Sequence, residues 1–344
     1  MPTTDSRLHE RSRLSRPRRT EAGGAARILL VGLAVLAVVA VAGVLVLRGV
    51  GPFPDPEGCR VEVGDVTAEL STEQAENAAT IAAVGVRRGL PARAVSIALA
   101  TAYQESKIQN LDHGDRDSLG LFQQRPSMGW GTSEQLQNPF YATNAFYDEL
   151  EKVDGYDEMR ITEAAQEVQR SGFPEAYEDH ADDARALASA LTGYSPDGRF
   201  SCVVRPSGSL EKERPGRSGL TPRANAVRKD VEMAFGDQSL GGFDPDGVRD
   251  GHKEGSAHYD GRAVDIFVRP LNEANNRKGW SIAQYLVAHA DRLHVQHVIF
   301  DGKIWSSGLR SSQGWREYDP GDRPGDRAVL EHRDHVHVDV YEGD

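Results

Sequence analysis

Apolar residues recur every three or four positions through much of this chain, which is the period of one face of an α-helix. Between residues 66 and 203 this spacing predicts a mostly α-helical domain, because no convincing run of strand-like alternation interrupts it. A capping-box-like start at Ser71 supports the first helix. The predicted helices cover residues 72–89, 91–107, 139–153, 162–170 and 179–191.

Residues 221–344 combine two periods and predict an α+β domain. Helical spacing occurs near residues 222–235 and 282–294, and an Asp-Gly turn signal at 301–302 predicts a hairpin. Strand-like runs lie at residues 263–268, 295–300 and 336–341. We expect these strands to form an antiparallel sheet with flanking helices. Residues 204–220 are dense in Pro, Gly, Ser and charge, so they predict a linker between the two domains.

An uninterrupted apolar segment lies near the N-terminus. Residues 28–47 are twenty Ile, Leu, Val, Ala and Gly residues, a length that suits a bilayer span. Seven Arg precede it within residues 1–27, which predicts a basic cytoplasmic arm and a single-pass membrane anchor. Residues 48–65 would be a spacer, and the bulk of the chain would be extracytoplasmic. A cleaved signal peptide is the alternative, although its apolar region would be shorter.

Charge and cysteine content narrow the possibilities further. The net charge is −12, and beyond the basic arm 33 basic residues face 49 acidic ones, which argues against nucleic-acid binding. The only two cysteines are Cys59 and Cys202. In the expected oxidising compartment they would form a disulfide around the first domain, with two free buried thiols as the alternative.

Glu105 occupies an unusual position on the second predicted helix. It follows Ala98 and Ala102 at the i, i+4, i+7 spacing, so its carboxyl lies at the border of the face that should be buried. Partial burial raises the pKa of a carboxyl, as a general acid for glycosidic cleavage requires. A surface Glu at a helix C-terminus is the ordinary alternative.

The surroundings of Glu105 resemble the lysozyme-like lytic transglycosylases. That family has Glu-Ser followed by Gly-Leu-x-Gln, and here the letters are E-S at 105–106 and G-L-F-Q at 120–123. The resemblance implies that Glu105 is the acid and base that cleaves the glycan strand of peptidoglycan. It also makes Gln123 a candidate substrate contact.

One segment departs from this family. Where its members have Ala-Tyr-Asn-Ala-Gly, the chain has A-Q-E-V-Q-R-S at 165–171, so an aromatic floor is missing. Trp130, Tyr141 and Tyr147 are the candidates to stack on sugars instead, with ordinary core or rim positions as the alternative. A two-carboxylate mechanism would need a partner on the loop after Glu105, and hydrolysis and anhydro-sugar formation both stay open. The candidate partners are Asp112, Asp115 and Asp117.

Two clusters of polar residues occur in the second domain. Residues 256–265 have the sequence S-A-H-Y-D-G-R-A-V-D, and residues 334–337 have the sequence D-H-V-H. On a strand, His335, His337 and Asp339 would share one face, for which a polar solvent face is the ordinary explanation. Adding His258 and Asp265 gives two imidazoles and a carboxylate with His337. Such a set leaves a fourth position open and predicts a catalytic zinc site.

These clusters resemble the lysostaphin, D-alanyl-D-alanine carboxypeptidase and hedgehog group of zinc peptidases. The family signature is S-x-H-x-x-G-x-A-x-D with a distant H-x-H, and every fixed position is present here. The resemblance implies that His258, Asp265 and His337 are zinc ligands. His252 and His332 are the alternative ligands.

The same resemblance implies roles for neighbouring residues. Asp334 stands where the carboxypeptidase branch has its Glu base, so either Asp334 or His335 would be the base. Ser256, the first residue of the signature, is a candidate substrate contact. Arg249 would bind a substrate carboxylate, with an ordinary surface Arg as the alternative.

Both resemblances imply one polymer, peptidoglycan. The expected fold is a transmembrane helix, a mostly α lysozyme-like domain and an α+β zinc-peptidase-like domain with an antiparallel sheet. The expected function is a membrane-anchored peptidoglycan hydrolase that cleaves glycan strands and peptide stems. The alternatives are a non-catalytic wall-binding or scaffolding protein, and a structural zinc site closed by His332.

Overall fold

The structure is a computed structural model that describes residues 30–34, 36–41, 55–196, 198–206 and 210–344. Two units divide it, Met1–Asp55 and Pro56–Asp344. The second unit contains both predicted domains. Its fold is mixed α/β with two antiparallel sheets.

The predicted transmembrane helix is wrong. No helix in the described ranges is both long enough and apolar enough to cross a bilayer. A span needs about 20 helical residues, whereas the helical residues described in the first unit are 30–34 and 36–41. The rest of the predicted span, residues 28, 29, 35 and 42–47, lies outside the described residues. The expected fold class, single-pass anchor and localisation are corrected accordingly.

Helices dominate the first half of the larger unit, where the apolar spacing predicts them. The capping box at Ser71 is present, with reciprocal bonds to Gln74. The helices are α1 (Thr72–Arg87), α2 (Ala92–Ser106), α3 (Ser133–Leu136), α4 (Pro139–Leu150), α5 (Ile161–Gln169) and α6 (Ala181–Leu191).

A small sheet that the sequence did not predict closes this half. Its strands are β1 (Gly58–Val63), β2 (Val66–Leu70) and β3 (Phe200–Val203), in the order β2-β1-β3. Cys59 lies directly opposite Cys202 in the β1–β3 register, and the predicted disulfide joins them. β1 falls inside the segment expected to be a spacer, and β2 and β3 are short strands at the two ends of the segment expected to be helical.

A six-stranded antiparallel sheet forms the second half, with strand order β4-β5-β9-β6-β7-β8. The helices of this half are α7 (Pro222–Phe235), α8 (Glu273–Ala288) and α9 (Arg327–Leu330). The strands are β4 (Ser239–Gly241), β5 (Ala263–Phe267), β6 (Val295–Phe300), β7 (Lys303–Ser306), β8 (Arg316–Glu317) and β9 (His335–Val340). β9 lies between β5 and β6, so the D-H-V-H cluster comes to the middle of the sheet.

The two halves share one apolar core. Helix α1 packs on α7 and α8, and the buried residues of both halves form a single cluster. The strand that carries Cys202 also contacts the second half, because Trp305 Nε1 donates to the Cys202 carbonyl at 3.2 Å. The burial of apolar side chains from both halves in this cluster stabilises their packing against each other.

Candidate functional sites

The candidate metal centre lies where β5 meets β9. Asp265 stands directly opposite His337 in the register of this pair, so both side chains project from the same face. His258 comes from the short 3-10 helix Ala257–Asp260 just before β5. All three side chains are buried. The antiparallel pairing therefore brings together residues that are 72 positions apart.

The three predicted ligands present their atoms to one point. His258 Nε2 lies 3.0 Å from His337 Nδ1. Asp265 Oδ1 lies 3.2 Å from His258 Nε2 and 3.1 Å from His337 Nδ1. The triangle of these three atoms, called the ligand triangle below, has the composition of a zinc site with an open position.

The outer nitrogens of both histidines are fixed by acceptors. His258 Nδ1 is 2.6 Å from the Gly242 carbonyl oxygen, and His337 Nε2 is 3.3 Å from Asp339 Oδ2. Each outer nitrogen must therefore carry the hydrogen, which leaves the inner nitrogens as lone pairs. Two lone pairs that face each other beside a carboxylate repel unless a cation or a proton lies between them.

The charges around the ligand triangle favour a positive charge at its centre. Burial alone would lower the pKa of His337, but the bonds to Asp265 and Asp339 raise it to about 9. Burial would likewise raise the pKa of Asp265, and the bonds from His258 and His337 instead hold it well below its usual range. The site thus binds a proton tightly, and a divalent cation satisfies the same atoms.

Two further histidines border the ligand triangle. The His252 ring stacks on His258 with centroids 3.9 Å apart. His252, His258 and Asp265 form a cluster that can hold a metal ion, with ligand atoms within 4.8 Å of one another. Burial lowers the pKa of His252 to about 4, so this imidazole is neutral near pH 7. His258 and Asp265 belong to both possible ligand sets.

His332 is the other bordering histidine. Its ring centroid lies 5.6 Å from that of His337, and within the described structure its buried Nδ1 has no hydrogen-bond partner. Burial lowers the pKa of His332 to about 2. A neutral imidazole whose Nδ1 lacks a partner among the described residues can serve as a further ligand or as a contact for a bound molecule.

The Asp334 carboxylate bonds to two neighbouring side chains, His335 and Arg269. Its Oδ1 lies 2.7 Å from His335 Nδ1, and its Oδ2 accepts from Arg269 Nε at 2.8 Å and Nη2 at 2.5 Å. His335 Nε2 points inward, 3.8 Å from Asp265 Oδ1. Of the two candidate bases, His335 is therefore the one that faces the ligand triangle, and Asp334 orients it. Sequence reasoning missed Arg269, which has no place in the family signature.

A cavity of about 680 Å³ opens above the ligand triangle. Ser256 lines it, whereas Arg249 is exposed and lies outside its wall. Arg323 lines the cavity instead, and its only bond within the described ranges is from Nε to the Pro320 carbonyl. The prediction for Arg249 is thus not supported by its position, and Arg323 offers the free guanidinium.

Glu105 lies at the end of α2, half-buried. Its Oε1 accepts a hydrogen bond of 2.7 Å from the hydroxyl of Tyr177, a buried residue of the 3-10 helix Ala176–His180. Burial raises the pKa of Glu105, and the bonds from Tyr177 and Gln169 counteract that rise only in part. A half-buried carboxyl with a raised pKa matches the expectation for a general acid.

A hydrogen bond fixes the G-L-F-Q loop, residues 120–123, at the end of α2, next to Glu105. Ser106 Oγ donates to the Leu121 carbonyl at 2.7 Å, which links E-S to G-L-F-Q. Gly120 has φ +75°, and a Cβ there would lie 2.4 Å from the Leu136 carbonyl oxygen, so only glycine fits. The Gln123 amide bonds the Gly120 carbonyl at 3.2 Å and stays within its own loop.

The aromatic residues predicted to stack on sugars lie in different environments. Tyr147 is fully buried and donates to the Ile81 carbonyl at 3.0 Å, so the prediction that it contacts substrate is wrong. Tyr141 donates to the Trp130 carbonyl at 3.2 Å. Tyr177, which the sequence reasoning missed, supplies an aromatic hydroxyl beyond the segment where the family has its Tyr.

Asp117 is the most engaged of the three candidate second carboxylates. It accepts from Arg125 Nε at 2.7 Å and from the Ser127 backbone N–H at 2.8 Å. These bonds hold the pKa of Asp117 far below its usual range. It ties the loop together and is not free to act on a substrate.

The comparisons with known proteins concern the second half of the chain. Residues 216–328, about a third of the chain, match the family model described as VldE, C-terminal domain. The matched part includes His258 and Asp265 and ends before Asp334. No curated protein matches the chain.

Proposed function

We propose that this protein cleaves peptidoglycan at two sites, as a zinc peptidase at the ligand triangle and as a glycan-cleaving enzyme at Glu105. The observation that carries the proposal is the pair of inner nitrogens of His258 and His337, 3.0 Å apart beside Asp265. Their outer nitrogens are both bonded to acceptors, so the inner nitrogens are oriented as metal ligands. Zinc suits two imidazoles and one carboxylate, and it supplies Lewis-acid chemistry for amide hydrolysis.

In the peptidase reaction, His335 is the base. Its Nδ1 donates to Asp334, so its Nε2 is free to take a proton from the attacking water and to return it to the leaving amine. Asp334 stabilises the imidazolium that forms, and Arg269 holds Asp334 in place. Arg323 is positioned to bind an anionic group of the peptide.

In the glycan reaction, Glu105 is the acid. Tyr177 occupies Oε1, which leaves Oε2 to donate a proton to the glycosidic oxygen. Asp117 is bonded to Arg125 and Ser127, and the side chains of Asp112 and Asp115 are 88% and 92% exposed. We therefore favour the mechanism with a single carboxylate, in which the sugar supplies the nucleophile and an anhydro-sugar forms.

The test incubates the full chain with purified peptidoglycan, with added zinc or with a chelator, and identifies released fragments by mass spectrometry. We expect cleaved stems that disappear in chelator, and anhydro-muropeptides that persist in it. Glu105→Gln should lose the glycan products by about a hundredfold or more and keep the peptide products. Glu134→Gln, an exposed Glu on α3, is the matched control.

A wall-binding protein without turnover is the second candidate. The engagement of Asp334 favours it, since the residue at the position of the carboxypeptidase base has no free oxygen. Sedimentation of the protein with peptidoglycan, with no fragments released in either condition, would support this candidate and overturn the first.

A further inference from the structure

A second cavity of about 520 Å³ adjoins the one above the ligand triangle. Gln296 and Arg262 line both cavities and therefore form their common wall. The far side of the second cavity includes Leu309 and Tyr341. Its volume lies in the range of about 300–1,000 Å³ that is usual for ligand pockets.

A β-bulge presents Gln296 to both cavities. Along the β6–β9 pair, Val295 lies opposite Val340 and His297 lies opposite Asp339, so Gln296 is one extra residue between them. A bulge of this kind redirects a side chain out of the regular alternation and is common beside active sites. Among the described residues, the Gln296 amide has no hydrogen-bond partner.

Arg262 adds a donor beside this amide. Its Nη1 donates to the Val340 carbonyl at 2.8 Å and its Nη2 to Asp260 at 3.3 Å. The common wall thus offers the Gln296 amide oxygen as an acceptor and the Gln296 amide N–H groups as donors, beside the Arg262 guanidinium. These groups complement the N–H and C=O groups of a peptide backbone.

We propose that Gln296 and Arg262 bind the backbone of an extended peptide that passes from the ligand triangle into the second cavity. This rests on the proposed peptidase function and assigns its substrate class, a peptide that continues for at least one residue on each side of the cleaved bond. Leu309, which is 89% exposed at the edge of the second cavity, provides an apolar contact for the far end.

The first experiment measures binding of two synthetic stem peptides, a dipeptide and a pentapeptide, to the full chain by calorimetry, with zinc and with chelator. We expect Gln296→Ala to raise the Kd of the pentapeptide by about three- to tenfold and to leave the dipeptide unchanged. Gln313→Ala is the control, because Gln313 is exposed and lines neither cavity.

A second pair of variants guards against misfolding at the bulge. Leu309→Ala should also weaken the pentapeptide selectively, whereas Leu271→Ala, an exposed leucine away from both cavities, should not. Equal affinity of wild type and Gln296→Ala for the pentapeptide, equal losses for both peptides, or no binding of the pentapeptide by wild type would each overturn the proposal.

The two proposals fail separately. If stems are cleaved in a zinc-dependent way but Gln296→Ala does not change the Kd of the pentapeptide, the peptidase proposal is supported and the extended binding site is excluded. A selective loss of pentapeptide binding without any chelator-sensitive cleavage leaves the peptide site standing and removes the peptidase.

Discussion

Tyr177 donates a 2.7 Å hydrogen bond to Glu105 across a separation of 72 residues. The bond stabilises the ionised carboxylate and opposes the effect of burial, which raises the pKa of Glu105. Tyr177 therefore sets the pH range in which the acid keeps its proton.

Replacing Tyr177 with Phe should move this range. Without the hydroxyl, only the bond from Gln169 still opposes burial and the pKa of Glu105 rises further, so the alkaline limb of the pH profile for glycan cleavage should shift to higher pH. The measurement is the rate of anhydro-muropeptide release from pH 4 to 9. Tyr194→Phe, at a tyrosine that is 56% exposed, is the control. A profile that stays in place or shifts to lower pH would contradict this role.

The contrast between Tyr177 and the predicted ligands shows what the sequence can supply. His335, His337 and Asp339 share a strand face, so a period of two residues is enough to group them. The bond from Tyr177 to Glu105 and the bond from Arg269 to Asp334 have no local period, because they depend on how separate elements pack. Tyr147 is a case in which the sequence misled. It was a candidate substrate contact, and nothing in its local sequence indicated that the packing of α4 would bury it.

Asp339 should control metal affinity without touching the metal. It accepts the outer N–H of His337 and also bonds His297 Nδ1 at 3.0 Å, so it fixes the ring orientation. We expect Asp339→Asn to weaken zinc binding by about 10- to 100-fold, as measured by competition with a chromophoric chelator. Asp182→Asn, at an exposed carboxylate on α6, is the control.

The same assay separates a catalytic from a structural zinc site. In an open site, His332→Ala should leave the zinc stoichiometry and affinity unchanged, whereas His337→Ala should abolish binding. Loss of zinc from both variants would mean that His332 closes the coordination, and the peptidase proposal would then lose its open position.

Arg269 and Asp334 should affect turnover and spare the metal. Asp334→Asn leaves one amide oxygen, which Arg269 requires as an acceptor, so the amide NH2 faces His335 and no longer fixes its tautomer; the turnover number for stem cleavage should fall by about a hundredfold or more. Arg269→Ala leaves the carboxylate and should cost less. Both variants should bind zinc as wild type does. If Asp334→Asn retains full turnover, His335 does not depend on this carboxylate.

Stability should fall in mild acid because of His289. This residue of the core between the halves is 2% exposed, and its Nδ1 lies 2.8 Å from the Tyr285 carbonyl. Burial lowers the pKa of His289 to about 4, whereas the pKa of a histidine in the unfolded chain is about 6.5. Between these values the unfolded state binds a proton that the folded state does not, so stability falls as pH decreases through this window.

The size of the effect follows from the difference between the two pKa values. It amounts to about 3 kcal/mol in the free energy of unfolding between pH 7 and pH 4. Urea unfolding at several pH values should show a smaller loss in His289→Gln, because the variant has no proton to take up in the unfolded state. His113→Gln, at a side chain that is 79% exposed, should keep the wild-type slope. Parallel slopes for wild type and His289→Gln would show that the acid sensitivity arises elsewhere, with the buried Asp230 carboxylate and its partner Arg292 as the next group to examine.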